Sequence, residues 1–304
     1  MEDQLDCSIS PLKDFIVTRT INKSKYSVYL IISKVNNKRY AVKVFPYKNK
    51  KISSYYLFEK RFKGLKHPNI VSIFDVQDQK LSFSGNKDQV SYILMELAPY
   101  GDFSSFIHKQ GFQNDHVLVR TYFQQLVSAV EYLHKQRIAH TDLKPGNLLI
   151  CEEFKLKVTD FDFAVLEEDG FVTTAGTSNF RAPEIIASEC VDPLAADIYS
   201  MGVILFCFCF NSLPYIEDSI IGGYDLYKLL TESDPLFWTV HKLEDADPDL
   251  KNLITKMCTS DRFSRLTIQQ VKNSEWFNGK VYSEEELATK MSALPYIKSL
   301  IEKA

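Results

Sequence analysis

The first third of the chain alternates short apolar stretches with clusters of polar, turn-forming residues. Stretches rich in β-branched and aromatic residues predict five strands, over residues 15–20, 26–33, 39–47, 70–76 and 90–96. Polar turn-formers separate these stretches, and the polar segment 82–88 is expected to form a hairpin loop. A helix is expected over 52–63. This part of the chain is therefore predicted to be a small β-rich region.

From Asp102 onward, apolar residues recur at helical spacing. Asn114 or Asp115 can cap a long helix. The buried stripe of that helix is expected to consist of Val119, Tyr122, Phe123, Leu126, Val130 and Leu133. Two short strands are expected over 148–150 and 155–158, and helical patterns resume from about residue 195. A larger helical region is thus predicted to follow the β-rich one, with a boundary near Pro99.

Composition and charge favour a globular protein with its own core over a nucleic-acid-binding or membrane protein. Apolar residues make up 45% of the 304 residues, which is enough to bury a sizeable core. The formal net charge of −3 predicts neither nucleic-acid nor membrane-surface binding, and no run of about 18 apolar residues predicts a membrane span. Six scattered cysteines favour a reducing compartment, with Cys207 and Cys209 as core thiols. We expect a cytoplasmic protein, with the nucleus as the alternative.

Segment 138–150 (I-A-H-T-D-L-K-P-G-N-L-L-I) concentrates polar residues suited to phosphoryl transfer. This reaction needs positioning, metal ions and a group that orients the incoming hydroxyl. Asp142 can accept the hydroxyl proton, Lys144 can neutralise phosphate, and Asn147 can ligate a metal through its amide oxygen. His140 is expected to pack in the core. The segment resembles the catalytic loop of eukaryotic protein kinases.

Further segments resemble the other kinase motifs, in the family's order, across about residues 15–278. Residues 40–43 (Y-A-V-K) resemble the strand whose lysine holds the nucleotide phosphates. Residues 160–162 (D-F-D) resemble the metal-binding D-F-G element, and 182–184 (A-P-E) and 197–202 resemble later family elements. The resemblance pairs Lys43 with Glu59, if one residue is deleted near Lys63 and Gly64. It also pairs Arg265 with Glu184.

The resemblance implies an α+β, bilobal protein kinase fold of the serine/threonine type, closest in layout to the calcium/calmodulin-dependent group. Its expected parts are an N-terminal tail (1–14), an N-lobe (15–96), a C-lobe (97–278) and a C-terminal helical tail (279–304). The implied reaction transfers the γ-phosphoryl group of ATP to serine or threonine hydroxyls of protein substrates. Mg²⁺ is the implied metal, with Mn²⁺ as the alternative.

The resemblance also assigns roles to individual residues. The implied catalytic residues are Asp142, Lys144 and Lys43, and the implied metal ligands are Asn147 and Asp160. Thr177 is expected to contact Asp142 and Lys144. The implied nucleotide-binding set is Lys43, Glu59, Ile21, Tyr29 (or Val28 beside it), Ala41, Met95, Glu96, Ala98 and Leu149.

Three departures from the family pattern have expected consequences. Asn22, Ser24 and Ser27 replace the three glycines of the phosphate-covering loop, which predicts weaker ATP binding than in a three-glycine version. Asp162 replaces the glycine of D-F-G. It could alter metal preference, limit movement of Phe161, or remain an inert, solvated side chain. Thr141 replaces an arginine that pairs with phosphate, so activity should depend little on phosphorylation of Thr173 or Thr174.

Other functions stay open on sequence alone. A pseudokinase that serves as a nucleotide-binding or scaffold module would tolerate the three departures. A small-molecule kinase is disfavoured by the intact segment 177–184. Segment 283–286 (S-E-E-E) is a capping box that predicts a helix in the tail, and Pro295 should interrupt it. This tail either packs on the helical region or binds a regulatory partner.

Overall fold

The computed structural model describes residues 12–23, 26–47, 51–82, 89–166, 176–188, 192–216, 220 and 222–302. The chain divides into two compact units. The described residues up to Ala98, together with Asp160–Asp162, form the small unit, and those of 99–159 and 163–302 form the large unit. The small unit is built on a sheet and the large unit is mainly helical. The predicted α+β class is confirmed.

A five-stranded antiparallel sheet with the order β1-β2-β3-β5-β4 forms the small unit. Its strands are β1 (Phe15–Lys23), β2 (Ser27–Ser33), β3 (Arg39–Pro46), β4 (Ile73–Ser82) and β5 (Gln89–Glu96). β4 begins three residues later than predicted, because Ile70 closes a turn by donating its backbone N–H to the carbonyl of His67. Of the hairpin loop expected over 82–88, Ser82 is the last residue of β4, and residues 83–88 lie outside the described part of the chain.

The two faces of this sheet carry different residues, since side chains alternate along each strand. One face buries an apolar cluster formed by Leu12, Tyr29, Ile31, Val42, Val44, Val90, Tyr92 and Leu94. The opposite face carries Lys43, with Val28 and Ile93 directly across from it on the neighbouring strands. The register of β2, β3 and β5 therefore decides which side chains share a face with Lys43.

One short helix accompanies the sheet in the described part of the small unit. α1 (Ser54–Glu59) passes into a 3₁₀ turn, Lys60–Phe62. It is shorter than the helix predicted over 52–63. Tyr56 and Glu59 are its buried residues, so α1 presents one hydrophobic and one acidic side chain to the interior.

The large unit contains short strand pairs and helices. The strands are β6 (Ile138–Ala139), β7 (Leu148–Ile150), β8 (Leu156–Val158) and β9 (Val165–Leu166), paired β6 with β9 and β7 with β8. The helices are α2 (Phe103–His108), α3 (His116–Lys135), α4 (Pro183–Ile186), α5 (Pro193–Phe210), α6 (Leu226–Thr231), α7 (Leu236–Val240), α8 (Pro248–Met257), α9 (Ile268–Lys272), α10 (Glu284–Ala293) and α11 (Pro295–Ile301).

Two long helices form the core of the large unit. Asp115 caps α3 by accepting the backbone N–H of Leu118, and the whole predicted apolar stripe of this helix is buried. Asp192 caps α5, and Asn211 ends it in the left-handed conformation. α5 is the one described helix with the length and hydropathy to cross a membrane, but 83% of it is buried inside the protein. It is therefore the central core helix of this unit.

The C-terminal helices α10 and α11 pack on the large unit. Ser283 and Glu286 form the expected capping box, and a new helix begins at Pro295. Leu287, Met291, Leu294 and Ile297 are buried. Asp115 fixes the tail by accepting hydrogen bonds from the hydroxyl of Tyr282 and the ammonium of Lys290, each at 2.8 Å. The tail therefore packs on the large unit, which is one of the two arrangements that the sequence left open.

Candidate active site

The sheet face that carries Lys43 holds a cluster of charged side chains. The Lys43 ammonium donates to Glu59 Oε2 at 2.7 Å, so the structure contains the ion pair expected despite the deletion near Gly64. β3 supplies the lysine and α1 supplies the glutamate, whose side chain is only 2% exposed. Because both charges are removed from water, each depends on the other for compensation.

Segment 160–162 completes this cluster. Lys43 also donates to Asp160 Oδ1 at 2.6 Å and to Asp162 Oδ1 at 3.1 Å. The backbone of Asp160 is left-handed, with φ of 68°. The ring of Phe161 lies 5.1 Å from that of Phe62, directly after α1, as expected for this position. Asp162 is buried and bonded to Lys43, so the interpretation of Asp162 as an inert, solvated side chain is wrong.

The cluster contains three carboxylates and one ammonium, and burial together with this imbalance shifts the pKa values of Glu59 and Lys43. Burial raises the pKa of Glu59 above its ordinary value; Lys43 opposes this shift, and the charges of Asp160 and Asp162 add to it. Burial by itself would lower the pKa of Lys43, but attraction to the three carboxylates outweighs it and raises this pKa. Three acidic groups against one ammonium therefore leave the cluster short of positive charge.

The acidic side chains of the cluster offer a divalent cation suitable ligands. Carboxylate oxygens of Glu59, Asp160 and Asp162 lie within 4.8 Å of one another, and hard oxygen ligands are those that Mg²⁺ prefers. Asp160 is the most accessible, with a side chain 34% exposed against 2% for Glu59 and 7% for Asp162. The residues therefore fit a magnesium ion, and Asp160 is the one best placed to hold it.

A second polar constellation lies in the large unit, in the segment between β6 and β7. Asp142 Oδ2 accepts from the Lys144 ammonium at 2.7 Å and from the Asn147 amide nitrogen at 3.0 Å. Asp142 Oδ1 accepts from the Thr177 hydroxyl at 2.7 Å, and Lys144 donates to the same hydroxyl at 2.6 Å. The structure thus brings together Asp142, Lys144, Asn147 and Thr177. With its nitrogen committed to Asp142, Asn147 retains its amide oxygen for a metal.

Asp197 on α5 fixes the backbone of this segment. Its carboxylate accepts the backbone N–H groups of His140 and Thr141, both at 2.8 Å, and contacts His134 Nε2 at 3.0 Å. Thr141 adopts φ of 59°, which is unusual for a β-branched residue. Its hydroxyl donates to the carbonyl of Phe163 at 2.6 Å. His140 is fully buried, as expected, and its ring accepts the backbone N–H of Asp142 at Nδ1 (3.3 Å) and lies 3.0 Å from the carbonyl of Thr159 at Nε2.

Gly176 allows the close approach of Thr177 to Asp142. It has φ of +94°, and a Cβ atom there would lie 2.7 Å from the carbonyl oxygen of Thr141. A side chain would therefore push the two backbone segments apart. The sequence analysis did not single out Gly176, because this contact depends on the packing of two distant segments.

The predicted nucleotide-lining residues fall in several places. Ala41 and Met95 face each other across β3 and β5, on the face that carries Lys43. Ile21 is exposed beside a bulge in β1, and Glu96 accepts from the backbone of Ser72. Ala98 ends the small unit, and Leu149 lies half-buried in β7 of the large unit.

Tyr29 requires a correction. It pairs with Val42 and is buried in the apolar cluster on the face opposite Lys43. Val28 pairs with Lys43 and shares its face. The phosphate-covering loop is therefore one residue shorter than the family pattern assumed, and Val28 takes the position assigned to Tyr29. Ser24 lies outside the described residues.

Sequence reasoning did not single out Tyr26. Its ring lies 4.6 Å from that of Phe45 and 5.7 Å from the Lys43 ammonium, and its hydroxyl is 3.1 Å from the hydroxyl of Ser53. An aromatic residue between the serines of a loop without glycines was the available signal. Tyr26 and Phe45 thus both place an aromatic ring near the Lys43 ammonium, at 5.7 and 5.3 Å.

Comparison with known proteins agrees with the geometry. The family model described as protein kinase domain matches residues 23–277. CBL-interacting protein kinase 31 of Oryza sativa subsp. japonica is 36% identical over 223 residues, covering 71% of this chain and 45% of the relative.

Two further relatives are similar to the same degree. CBL-interacting protein kinase 11 of the same plant is 34% identical over 225 residues, covering 71% of this chain and 41% of the relative. CBL-interacting serine/threonine-protein kinase 14 of Arabidopsis thaliana is 35% identical over 219 residues, covering 70% and 45%. The chain thus spans less than half the length of these relatives. The family match covers most of the sequence and includes the segments that carry Lys43, Asp142, Asp160 and Glu184, and the chain belongs to the protein kinase domain family.

Proposed function

We propose that this chain is a protein kinase that transfers the γ-phosphoryl group of ATP to serine or threonine hydroxyls of protein substrates. The observation that carries the proposal is the constellation of Asp142, Lys144, Asn147 and Thr177, with contacts of 2.6–3.0 Å. These groups hold one another in place through their mutual hydrogen bonds. A preorganised arrangement of this kind is what phosphoryl transfer requires from a protein.

The Asp142 carboxylate, whose side chain is 3% exposed, has one acceptor position that its contacts in the structure do not use. A carboxylate has about four acceptor positions, and in Asp142 three are used, by Lys144, Asn147 and Thr177. The remaining position suits a substrate hydroxyl. In the proposed reaction the hydroxyl oxygen forms a bond to the γ-phosphorus while the bond to the ADP oxygen breaks, and Asp142 takes the hydroxyl proton.

Lys144 supports the choice of serine and threonine over tyrosine. It bridges Asp142 and Thr177, and a lysine two residues after the catalytic aspartate is the serine/threonine pattern of the family. The ammonium adds positive charge beside the position where the transferred group carries negative charge. The names of the similar plant proteins agree with this specificity.

Lys43 would hold the phosphates of the nucleotide, and Asp160 of the small unit and Asn147 of the large unit are each proposed as a metal ligand. Bound Mg²⁺ supplies charge neutralisation for the transferred phosphoryl group. We propose Mg²⁺ as the physiological metal, with Mn²⁺ as the alternative, because the ligands are hard oxygen atoms. The retention of all these groups favours a kinase over a pseudokinase that only binds nucleotide.

The test is transfer of labelled γ-phosphate from ATP to a mixed protein substrate, with Mg²⁺ and separately with Mn²⁺. Replacing Asp142 by Asn keeps its shape and removes the proton acceptor. We expect this change to lower the rate by about 100-fold or more. Asp249→Asn is the matched control, because Asp249 is an exposed carboxylate on α8 of the same unit.

Each alternative has its own outcome. Label on phosphoserine or phosphothreonine in the wild type and the Asp249 variant, but not in the Asp142 variant, supports the proposal. Binding of ATP without label on any substrate would support the pseudokinase. Label confined to small molecules would support a small-molecule kinase, and label on phosphotyrosine would contradict the assigned specificity.

We extend the proposal to a regulatory partner at the C-terminal tail. What supports it is the row of exposed acidic side chains, Glu284–Glu286, in the first turn of α10, together with the names of the relatives. A CBL protein is the first partner to test, by titration calorimetry against the chain and against a Glu284→Lys, Glu285→Lys variant. Equal binding by both proteins, or none by either, would remove this part of the proposal.

A further inference from the structure

The Lys43 ammonium has no donor to spare in this structure. An ammonium group carries three N–H donors. Lys43 makes three contacts, to Glu59 at 2.7 Å, Asp160 at 2.6 Å and Asp162 at 3.1 Å. Any phosphate oxygen that binds Lys43 must therefore displace one of these carboxylates.

The groups around Lys43 further limit access to its ammonium. Its side chain is only 10% exposed. The ring of Phe45 lies 5.3 Å from the ammonium and the ring of Tyr26 lies 5.7 Å from it. Rings at this distance attract the cation and exclude water. Three carboxylates and two aromatic rings of the protein therefore lie next to the Lys43 ammonium.

Asp162 is the unusual member of this cluster. Glu59 and Asp160 match the family pattern, whereas the residue at 162 in that pattern is glycine, which has no side chain. Asp162 adds a third carboxylate to a buried cluster with one ammonium, for a formal charge of −2. Its side chain is 7% exposed, so water screens it weakly. A nucleotide brings further negative charge to this cluster through its phosphates.

We propose that Asp162 competes with the phosphates of the nucleotide for Lys43 and thereby weakens ATP binding. The inference rests on the proposed function, because it assumes that Lys43 holds those phosphates. Displacing Asp162 leaves a buried carboxylate without its cation, and the same charge repels the incoming phosphates. Asp162 is thus a positioning residue that acts on the nucleotide through Lys43.

The alternative role for Asp162 is that of an additional metal ligand. Its carboxylate, with those of Glu59 and Asp160, could surround a divalent cation. The structure favours competition because the Lys43 ammonium already lies among these three carboxylates. The two roles predict opposite effects of removing the charge: competition predicts tighter binding of ATP, and metal ligation predicts weaker binding of ATP in the presence of Mg²⁺.

The experiment measures dissociation constants of ATP and adenosine for the full chain, by titration calorimetry with Mg²⁺ and with a chelator. Asp162→Asn preserves the shape of the side chain, and Asp162→Gly restores the family residue. We expect ATP to bind about tenfold more tightly to both variants, which corresponds to about 1.4 kcal/mol. Adenosine has no phosphates, so its affinity should change by less than about twofold.

Asp78→Asn is the matched control for charge. Asp78 belongs to the same unit and forms a half-exposed ion pair with Lys60 at 3.3 Å. This change should leave both affinities as they are. Unchanged ATP affinity in the two Asp162 variants would overturn the proposal. Weaker ATP binding seen only with Mg²⁺ would overturn it in favour of metal ligation.

The comparison of ATP with adenosine distinguishes an effect of the Asp162 charge from an effect of the shape of the site. Equal tightening of ATP and adenosine would show that the variants changed the shape of the site, and would also overturn the proposal. The binding measurement requires no phosphate transfer. If the two Asp162 variants bind ATP no more tightly than the wild type, the proposed kinase activity is unaffected. If they bind ATP more tightly but the chain transfers no phosphate, only the proposed function is contradicted.

Discussion

Removal of one partner from the buried ion pair between Arg265 and Glu184 should strongly destabilise the large unit. The two guanidinium nitrogens Nη1 and Nη2 donate to the two carboxylate oxygens at 2.6 and 2.9 Å. The remaining donors reach the carbonyl of Ala195 at 3.0 Å and that of Thr259 at 3.0 and 3.2 Å. All five N–H groups of Arg265 are therefore used. Its side chain is 0% exposed and that of Glu184 is 6% exposed.

The perturbation is the replacement of Arg265 by Met, which has a similar length and no charge. Glu184 then remains as a buried carboxylate without a cation, and two buried carbonyl groups lose donors. Removing one member of a buried ion pair costs about 3–5 kcal/mol. We expect the free energy of unfolding to fall by this amount. The double variant Arg265→Met, Glu184→Leu should recover about 2 kcal/mol of it, because no unpaired charge is left.

The assay is urea unfolding followed by tryptophan fluorescence. The two tryptophans of the chain are Trp238 and Trp276, and both are buried in the large unit. The signal therefore reports the unfolding of that unit. A loss below about 1 kcal/mol for Arg265→Met, or a double variant less stable than the single one, would refute the reasoning.

Three further predictions concern other parts of the chain. Because Thr141 replaces the phosphate-pairing arginine, phosphatase treatment, or alanine at Thr173 and Thr174, should change the rate of transfer by less than about twofold; a larger loss would show that phosphate acts through other groups. Gly176→Ala should slow transfer by about 10- to 100-fold by displacing Thr177, while circular dichroism remains that of the wild type; an unchanged rate would contradict the role given to the contact with Thr141. Burial raises the pKa of the Cys207 and Cys258 thiols to about 12 and that of the Cys209 thiol further still. Cys151 is buried as well, so iodoacetamide followed by mass spectrometry should leave all four of these cysteines unmodified in the native chain.

Local patterns in the sequence predicted the elements that carry the candidate site. The enrichment in β-branched and aromatic residues predicted β2, β3 and β5, and the helical stripe predicted α3 with Asn114 or Asp115 as its cap. These predictions succeed because strand propensity and helical period are properties of a few consecutive residues. Motif spacing likewise indicated Asp142, Lys144 and Asn147, which lie on one short segment.

The pairing of Lys43 with Glu59 needed more than local pattern. It depended on assuming a deletion, and the structure supplies the contact at 2.7 Å. The assignment of Tyr29 assumed a phosphate-covering loop of the family's full length, and the register of β2 places Val28 at that position instead. A shift of one position moves a side chain to the opposite face of a sheet. Register is fixed by pairing with β1 and β3, which the sequence of β2 does not contain.

The chain's own residues thus specify its fold class, its elements and the segments that bear its chemistry, because short-range periodicity and capping are encoded where they act. The environment of each charge is specified by contacts between distant segments. Asp162 is 119 residues from Lys43 along the chain and 3.1 Å from it in space. Whether that carboxylate is solvated or bonded to the ammonium follows from burial and from competition among neighbouring charges, which arise when the folded backbone brings these segments together.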